Sequence, residues 1–305
     1  MDIVKQNMLM TSELMKVVKI IEENNIESIS FKGPVLSQLA YGDVVSRQYC
    51  DLDILVDENN IDKVCNLLKE KNYQFDELLF KKIFENKSIF HDITIYKENI
   101  VNIEFHWRLF SDEYKTDFTS LNLNDYVTYS SISNIQLKIF KNELTLLYLS
   151  IHGTKHNWER VEWLVDIVKL VENTQLNWNE VFYIARVTKN EKILFTTLKL
   201  CVNILDLQLS DLVKTKFDKK IEQFAKSFEN LFIERFNNTL LQEEGSKNIS
   251  KIQYDLLETN DSKIAFIISL LKPTQLEYSL IKLPKYLNFV YYVIRPFNVI
   301  FRKIN

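Results

Sequence analysis

The sequence predicts an α+β protein: a small mixed sheet flanked by helices, followed by a mostly helical domain. Three observations lead there. DLDILV at 51–56 and VNIEFHW at 101–107 alternate polar and apolar residues with the period of two that marks a strand. Beyond residue 135 the apolar spacing is almost wholly helical. Glycine and proline number only four each in 305 residues, too few for a loop-rich β architecture. The chain is therefore expected to divide into 1–135, carrying the sheet and an N-terminal helix, and 136–305, the helical domain.

The elements follow in order. Met8, Leu9, Leu14, Met15, Val18 and Ile21 form one apolar stripe over residues 5–24, and Asn24-Asn25 ends that helix. Residues 26–31 are short enough for a strand. Lys32-Gly33-Pro34 offers a glycine turn with proline at a helix start, and the helix from Pro34 to Tyr41 stops at Gly42. In DLDILV, Leu52, Ile54 and Val56 enter the core while Asp51 and Asp53 leave the opposite face together. Asn60 to Lys71 reads as a helix burying Ile61, Val64, Leu67 and Leu68. Residues 73–88 are ambiguous, with LLFKKIF compatible with a helix. Residues 89–96 and 100–107 read as a hairpin around Lys97-Glu98-Asn99. Its second strand sets Asn102, Glu104 and His106 on one face and Val101, Ile103, Phe105 and Trp107 on the other. His91 and Asp92 stand at the hairpin start, where a histidine is most simply a solvated surface group. The polar run from Ser111 to Ser133 is expected to hold the domain junction, with a strand such as QLKIF after it still open to the first domain. Helical patterns then cover 143–172, 178–207 and 210–234, with QEEGSKNISK as an exposed loop.

The acids carry the chemistry. Two carboxylates held as close as Asp51 and Asp53 repel unless a cation lies between them. Glu104 is a charge set among core-forming residues, at a position that can converge on both. Three converging carboxylates suit two magnesium ions that grip a nucleoside triphosphate and activate an attacking oxygen. The helix start at Lys32-Gly33 could face a phosphate. Arg47, four residues before Asp51, reaches either a phosphate or one of the aspartates.

Lys32-Gly33, Arg47, Asp51-Leu52-Asp53 and Glu104-Phe105-His106-Trp107 together resemble the uncharacterised branch of the polymerase-β-like nucleotidyltransferases. HGTKHNWERVEWLVDIVKL and YYVIRPF extend that resemblance over nearly the whole chain. It implies a nucleotidyltransferase-like fold and metal-dependent transfer of a nucleoside monophosphate from a triphosphate to an acceptor, in a branch that accompanies surface-polysaccharide or peptide modification. Asp51, Asp53 and Glu104 are then the catalytic and metal-binding residues, with Mg²⁺ or Mn²⁺ as cofactor. Glu104 also stands as a general base, and Lys32, Gly33 and Arg47 as nucleotide contacts. One departure is plain: the superfamily's usual Gly-Ser before the acidic pair is Gly33-Pro34 here, with a longer spacer to Asp51. Two alternatives share the site: transfer of the terminal phosphoryl group, as in a kinase, and a non-catalytic nucleotide-binding protein.

In the helical part, His152 and His156 lie one turn apart, with Arg160 a turn further. The spacing can bind zinc, but the glutamate that follows the first histidine of the zinc-protease motif is absent. The three are expected to contact nucleotide or acceptor in a cleft, or to build the domain interface with Trp158, Trp163 and Asp166. Gly153 admits a close approach or breaks the helix in two. From Ile264 to Asn305, Lys272, Lys282, Lys285, Arg295, Arg302 and Lys303 face one acid, Glu277, among many aromatics. That mixture suits peripheral contact with an anionic membrane surface, or a terminal helix with solvated lysines. A net charge of −3 argues against a general nucleic-acid binder. Cys50, Cys65 and Cys201 lack metal spacing and read as free thiols of a cytoplasmic protein, and MDIVKQNMLM carries no secretory pattern.

Overall fold

The computed structural model describes residues 2–85, 90–98, 100–110, 121–236, 251–281 and 283–302. Its contacts group into two units, one of 1–111, 124–141 and 272–295, the other of 112–123, 142–271 and 296–305.

In the first unit, helix α1 (Ile3–Glu23) starts at Asp2, whose side chain accepts from the Val4 amide, and buries Leu14, Val17, Val18 and Ile21. Strand β1 (Ser28–Ser30) is short, and the chain runs on through Lys32 into α2 (Gly33–Tyr41). Gly42 closes α2 at φ 84°, a left-handed cap that glycine adopts without steric cost. Strand β2 (Asp51–Val56) follows, then α3 (Ile61–Lys69), α4 (Glu77–Glu85), β3 (Asp92–Lys97) and β4 (Val101–His106). The ambiguous stretch after residue 73 thus holds α4. The sheet order is β1-β2-β4-β3. β2 runs parallel to β4, whereas β1 and β3 are antiparallel to their neighbours, so the sheet is mixed as predicted. Leu52, Ile54, Ile103 and Phe105 are fully buried in one cluster with the apolar faces of α1 and α3.

The polar stretch from Ser111 to Ser133, where the junction was expected, also contributes to a hairpin of the first unit, β5 (Val127–Ile132) and β6 (Ile135–Phe140), the second strand built on QLKIF and the turn at Ser133 and Asn134 with φ of 49° and 67°. Much of β5 is solvent-facing, so its sequence lacks an alternating apolar set. SDEYKTD lies outside the described residues. Residues 272–295 also group with the first unit, where Tyr278 and Tyr291 join its core.

Glu13 is buried on α1 and accepts from Tyr73 Oη at 2.6 Å and Lys16 Nζ at 2.6 Å, with Lys97 Nζ at 3.5 Å. Burial would raise its pKa, but these donors and the Lys97 charge together hold it below the ordinary carboxylate value. A carboxylate with a lowered folded-state pKa stabilises the fold above its unfolded value and loses that contribution as pH falls through the folded value. Glu13→Gln should therefore cost about 2 kcal/mol at neutral pH. In urea unfolding, the gap to wild type should narrow on acidification toward and below pH 4.

The second unit is helical: α5 (Asn142–Lys155), α6 (Glu162–Asn173), α7 (Trp178–Val187), α8 (Glu191–Leu205), α9 (Asp211–Lys214) and α10 (Lys219–Phe236), followed by a helix over Asn260–Ser269. The predicted helix over 143–172 is broken after Lys155. Asn157 and Trp158 adopt φ of 54° and 52°, and the Trp158 amide returns to the Gly153 carbonyl at 2.8 Å. The fully buried Trp158 ring lies where a Cβ on Gly153 would sit 2.3 Å from two of its atoms. Gly153→Ala should thus displace the ring and destabilise the protein by about 1–3 kcal/mol, visible as a lower Tm.

Among the described residues, no helix is long and apolar enough to cross a membrane. Arg295, one of the C-terminal cations, is held by buried Glu277 at 3.2 Å. Lys282 and Lys303 lie outside the described residues.

Candidate active site

The register of the sheet builds the site row by row. Asp51 pairs with Asn102, and Asn102 with Tyr96; one row on, Asp53 pairs with Glu104, and Glu104 with Thr94. Directly opposed residues share a face, so Asp51, Asp53, Asn102, Glu104 and Tyr96 lie on the face away from Leu52 and Ile103. His106, two residues beyond Glu104, follows on that face.

Beyond β1 the chain continues alongside β2. The Phe31 amide donates to the Asp53 carbonyl, and Gly33 at φ 46° comes so close to Asp51 that a Cβ would meet its carbonyl oxygen at 3.2 Å. A side chain is therefore disfavoured at Gly33 on two counts. The same path brings Lys32 back over the sheet, where its Nζ donates to Asp53 Oδ1 at 2.9 Å.

Asp53 is 2% exposed and forms the centre. His106 Nε2 lies 3.2 Å from Asp53 Oδ1 and 3.6 Å from Glu104 Oε2. Asp53, Glu104 and His106 each offer an atom within 4.8 Å of the others, a grouping that could hold a metal ion. Burial would raise the pKa of Asp53, but the Lys32 charge and His106 hold it at about 2. Burial likewise disfavours the imidazolium of His106, yet contact with Asp53 and Glu104, with the Asp92 charge behind them, lifts it to about 9. Asp51 goes the other way: burial and the charges of Asp53 and Glu104 raise its pKa, with Lys32 and Arg47 opposing.

The donor set fits a divalent cation. Asp53 Oδ2 is buried with no hydrogen-bond partner, and Asp51 is under like-charge repulsion that such an ion would relieve.

The predicted residues divide as follows. Lys32, Gly33, Asp51, Asp53 and Glu104 come together on this face, and Arg47 acts on Asp51 through its charge. Asp51 stands outside the group within 4.8 Å, and His106, not singled out as a site residue by sequence, stands inside it. Strand parity had placed His106 on the right face; the signal lay in its being next after Glu104. His91, read as a surface group, packs 6.1 Å from the His106 ring, and its carbonyl accepts from the Trp107 amide.

In the second unit, His152 and His156 keep their one-turn spacing, with ring centroids 4.7 Å apart and Trp163 at 5.1 and 5.6 Å. Arg160 does not share their helix face, because α5 ends at Lys155; its Nε lies 3.7 Å from Glu162.

A family model described as uncharacterised nucleotidyltransferase matches residues 1–206. No curated protein matches the sequence. Among solved structures, a lincosamide antibiotic adenylyltransferase with bound lincomycin aligns over 53% of this chain and 97% of its own, at 17% identity and a TM-score of 0.37.

Proposed function

The chain belongs to the uncharacterised nucleotidyltransferase family, and from that premise we propose that it moves a nucleoside monophosphate from a triphosphate to an acceptor oxygen on the face built by Asp51, Asp53, Glu104 and His106. The observation that carries the reading is the buried, unpartnered Asp53 Oδ2 beside Glu104 and His106. A divalent cation held by Asp53, Glu104 and Asp51, or by His106 in place of Asp51 once His106 has lost its proton, Mg²⁺ or Mn²⁺ by the chemistry of the donors, would supply positive charge to the triphosphate and acidify the acceptor hydroxyl.

The residues themselves do the remaining work. Lys32 and Arg47 bring fixed positive charge to the phosphates, and the turn at Gly33 offers its own amide to them, since Pro34 has no N–H and the Val35 and Leu36 amides donate to the Lys32 carbonyl. The acceptor oxygen forms a bond to the α-phosphorus as the bond from that phosphorus to the bridging oxygen breaks. The electron pair leaves with pyrophosphate. Glu104, whose side chain is 33% exposed beside fully covered Asp53, takes the proton that the acceptor hydroxyl loses.

In the second unit, the His152–His156–Trp163 rings are proposed to contact nucleotide or acceptor. His156→Gln keeps bulk and hydrogen-bonding ability, and should lower kcat/KM about tenfold with little change in Tm. Arg160, off that face, would reach nucleotide or acceptor by itself. The reading as a whole is tested by screening the four triphosphates, with Mg²⁺ or Mn²⁺, for pyrophosphate release against glycan and peptide acceptors. Formation of the nucleoside diphosphate without pyrophosphate, with the terminal phosphoryl group on the acceptor, would favour the kinase alternative.

A further inference from the structure

A cavity of about 480 Å³ opens at the start of β2 and β4, lined in part by Gln6, Leu9, Cys50, Tyr96, Ile100 and Asn102. Its size falls in the range of small-molecule sites, roughly 300–1,000 Å³. Its position is fixed by the sheet register. Tyr96 and Asn102 belong to the same cross-strand row as Asp51, and Cys50 immediately precedes Asp51. On the other side of Asp51, in that row, lies Gly33. The row therefore reads, in order, phosphate-binding turn, acid, amide, aromatic ring at the cavity.

Displacement at phosphorus is in line, with the attacking and leaving oxygens on opposite sides. If pyrophosphate leaves toward Lys32 and Gly33, on the β1 side, the acceptor must arrive from the far side of Asp51; the cavity lies at the strand ends, between the first turns of α1 and the β3–β4 hairpin, and meets that side through Tyr96 and Asn102. Resting on the nucleotidyl-transfer reading, we propose that the cavity is the acceptor site and that it takes an uncharged, hydroxyl-bearing small molecule with an apolar body. The lining states the class. Leu9 and Ile100 present hydrocarbon, Tyr96 presents a ring face, and Gln6 and Asn102 present neutral amides. Lys97 and Glu98, the charged members, are opposite in sign, and Lys97 is already engaged with Glu13 at 3.5 Å. A strongly charged acceptor would surrender hydration there without gaining a matched partner. Leu9, Tyr96 and Ile100 are each about 40% exposed, so these apolar surfaces are open to a ligand.

Cys50 provides a reporter, because it is exposed whereas Cys65 and Cys201 are buried with raised pKa values. The full-length protein is loaded with Mn²⁺ and the α,β-methylene analogues of the four nucleoside triphosphates, and analogue binding is measured by calorimetry. The rate at which N-ethylmaleimide labels Cys50 is then followed by mass spectrometry with a panel of neutral aryl and alkyl glycosides, with glucose 6-phosphate, and with glucosamine. At least one neutral glycoside should slow labelling fivefold or more, and the two charged sugars should not. Leu9→Trp, which fills the cavity, and Ile100→Arg, which charges it, should each abolish that protection and still bind the analogue as wild type does. The proposal is overturned if no neutral compound protects, if only the charged sugars do, or if the analogue alone shields Cys50, since the cavity would then be the nucleotide's. Absence of analogue binding itself would instead overturn the nucleotidyl-transfer reading.

Discussion

Asp53→Asn is expected to lower turnover at least a thousandfold and also to reduce stability without metal. Asparagine keeps the shape but removes the charge at the centre of the acidic group. Relief of repulsion with Asp51 would by itself favour the variant, but it does not decide the sign. Lys32 Nζ at 2.9 Å and His106 Nε2 at 3.2 Å both lose their counter-charge. The depression of Asp53 from 3.8 to about 2 in the folded protein corresponds to about 2 kcal/mol of stabilisation by the ionised form. The variant should therefore melt lower than wild type in a chelator, and its Tm should respond little to added Mn²⁺. Undiminished turnover at limiting metal would remove Asp53 from the mechanism.

Lys32→Ala should produce the second largest effect, on both activity and stability. From sequence alone, Lys32 is a nucleotide contact. In the structure it is 13% exposed and pairs with a fully covered carboxylate. Removing one partner of such a pair leaves a buried charge uncompensated, typically at a cost of about 3–5 kcal/mol; here the adjacent His106 reduces that to about 2–3 kcal/mol. Because a divalent cation would take over the same charge, Mn²⁺ should restore much of the lost Tm but not the turnover, which still lacks a phosphate contact. An unchanged Tm in a chelator would mean that the lysine does not support Asp53.

How much of this was legible in the sequence depends on the kind of signal. The alternation in DLDILV and VNIEFHW gave the strands, their buried faces and the shared face of the acids, because a period of two survives wherever one face packs on a core. Gly33, Pro34 and Gly42 marked the bounds of α2 through backbone rules that act within a few residues. Register was not legible. That Asp53 stands opposite Glu104, and that Gly33 stands beside Asp51, depends on which strands pair and in what order. The promotion of His106 and the pairing of Lys32 follow from that order. Strand β5 was hidden because Tyr129, Ser130 and Ser131 pack little apolar surface, so it has no hydrophobic pattern. The end of α5 was half visible: Gly153 marked a close approach or a break, but that the Trp158 ring is what folds back onto it is a contact that spacing in the sequence does not encode.

The measurement that bears most directly on the central claim is the fate of label from a triphosphate carrying ³²P at the α position, compared with one carrying it at the γ position, in the presence of Mn²⁺ and an acceptor found in the screen. Nucleotidyl transfer at the Asp53–Glu104–His106 face predicts that α label enters the acceptor with one pyrophosphate released per transfer, that γ label does not, and that Asp53→Asn abolishes the incorporation. Incorporation of γ label, or of α label equally in wild type and Asp53→Asn, would contradict it.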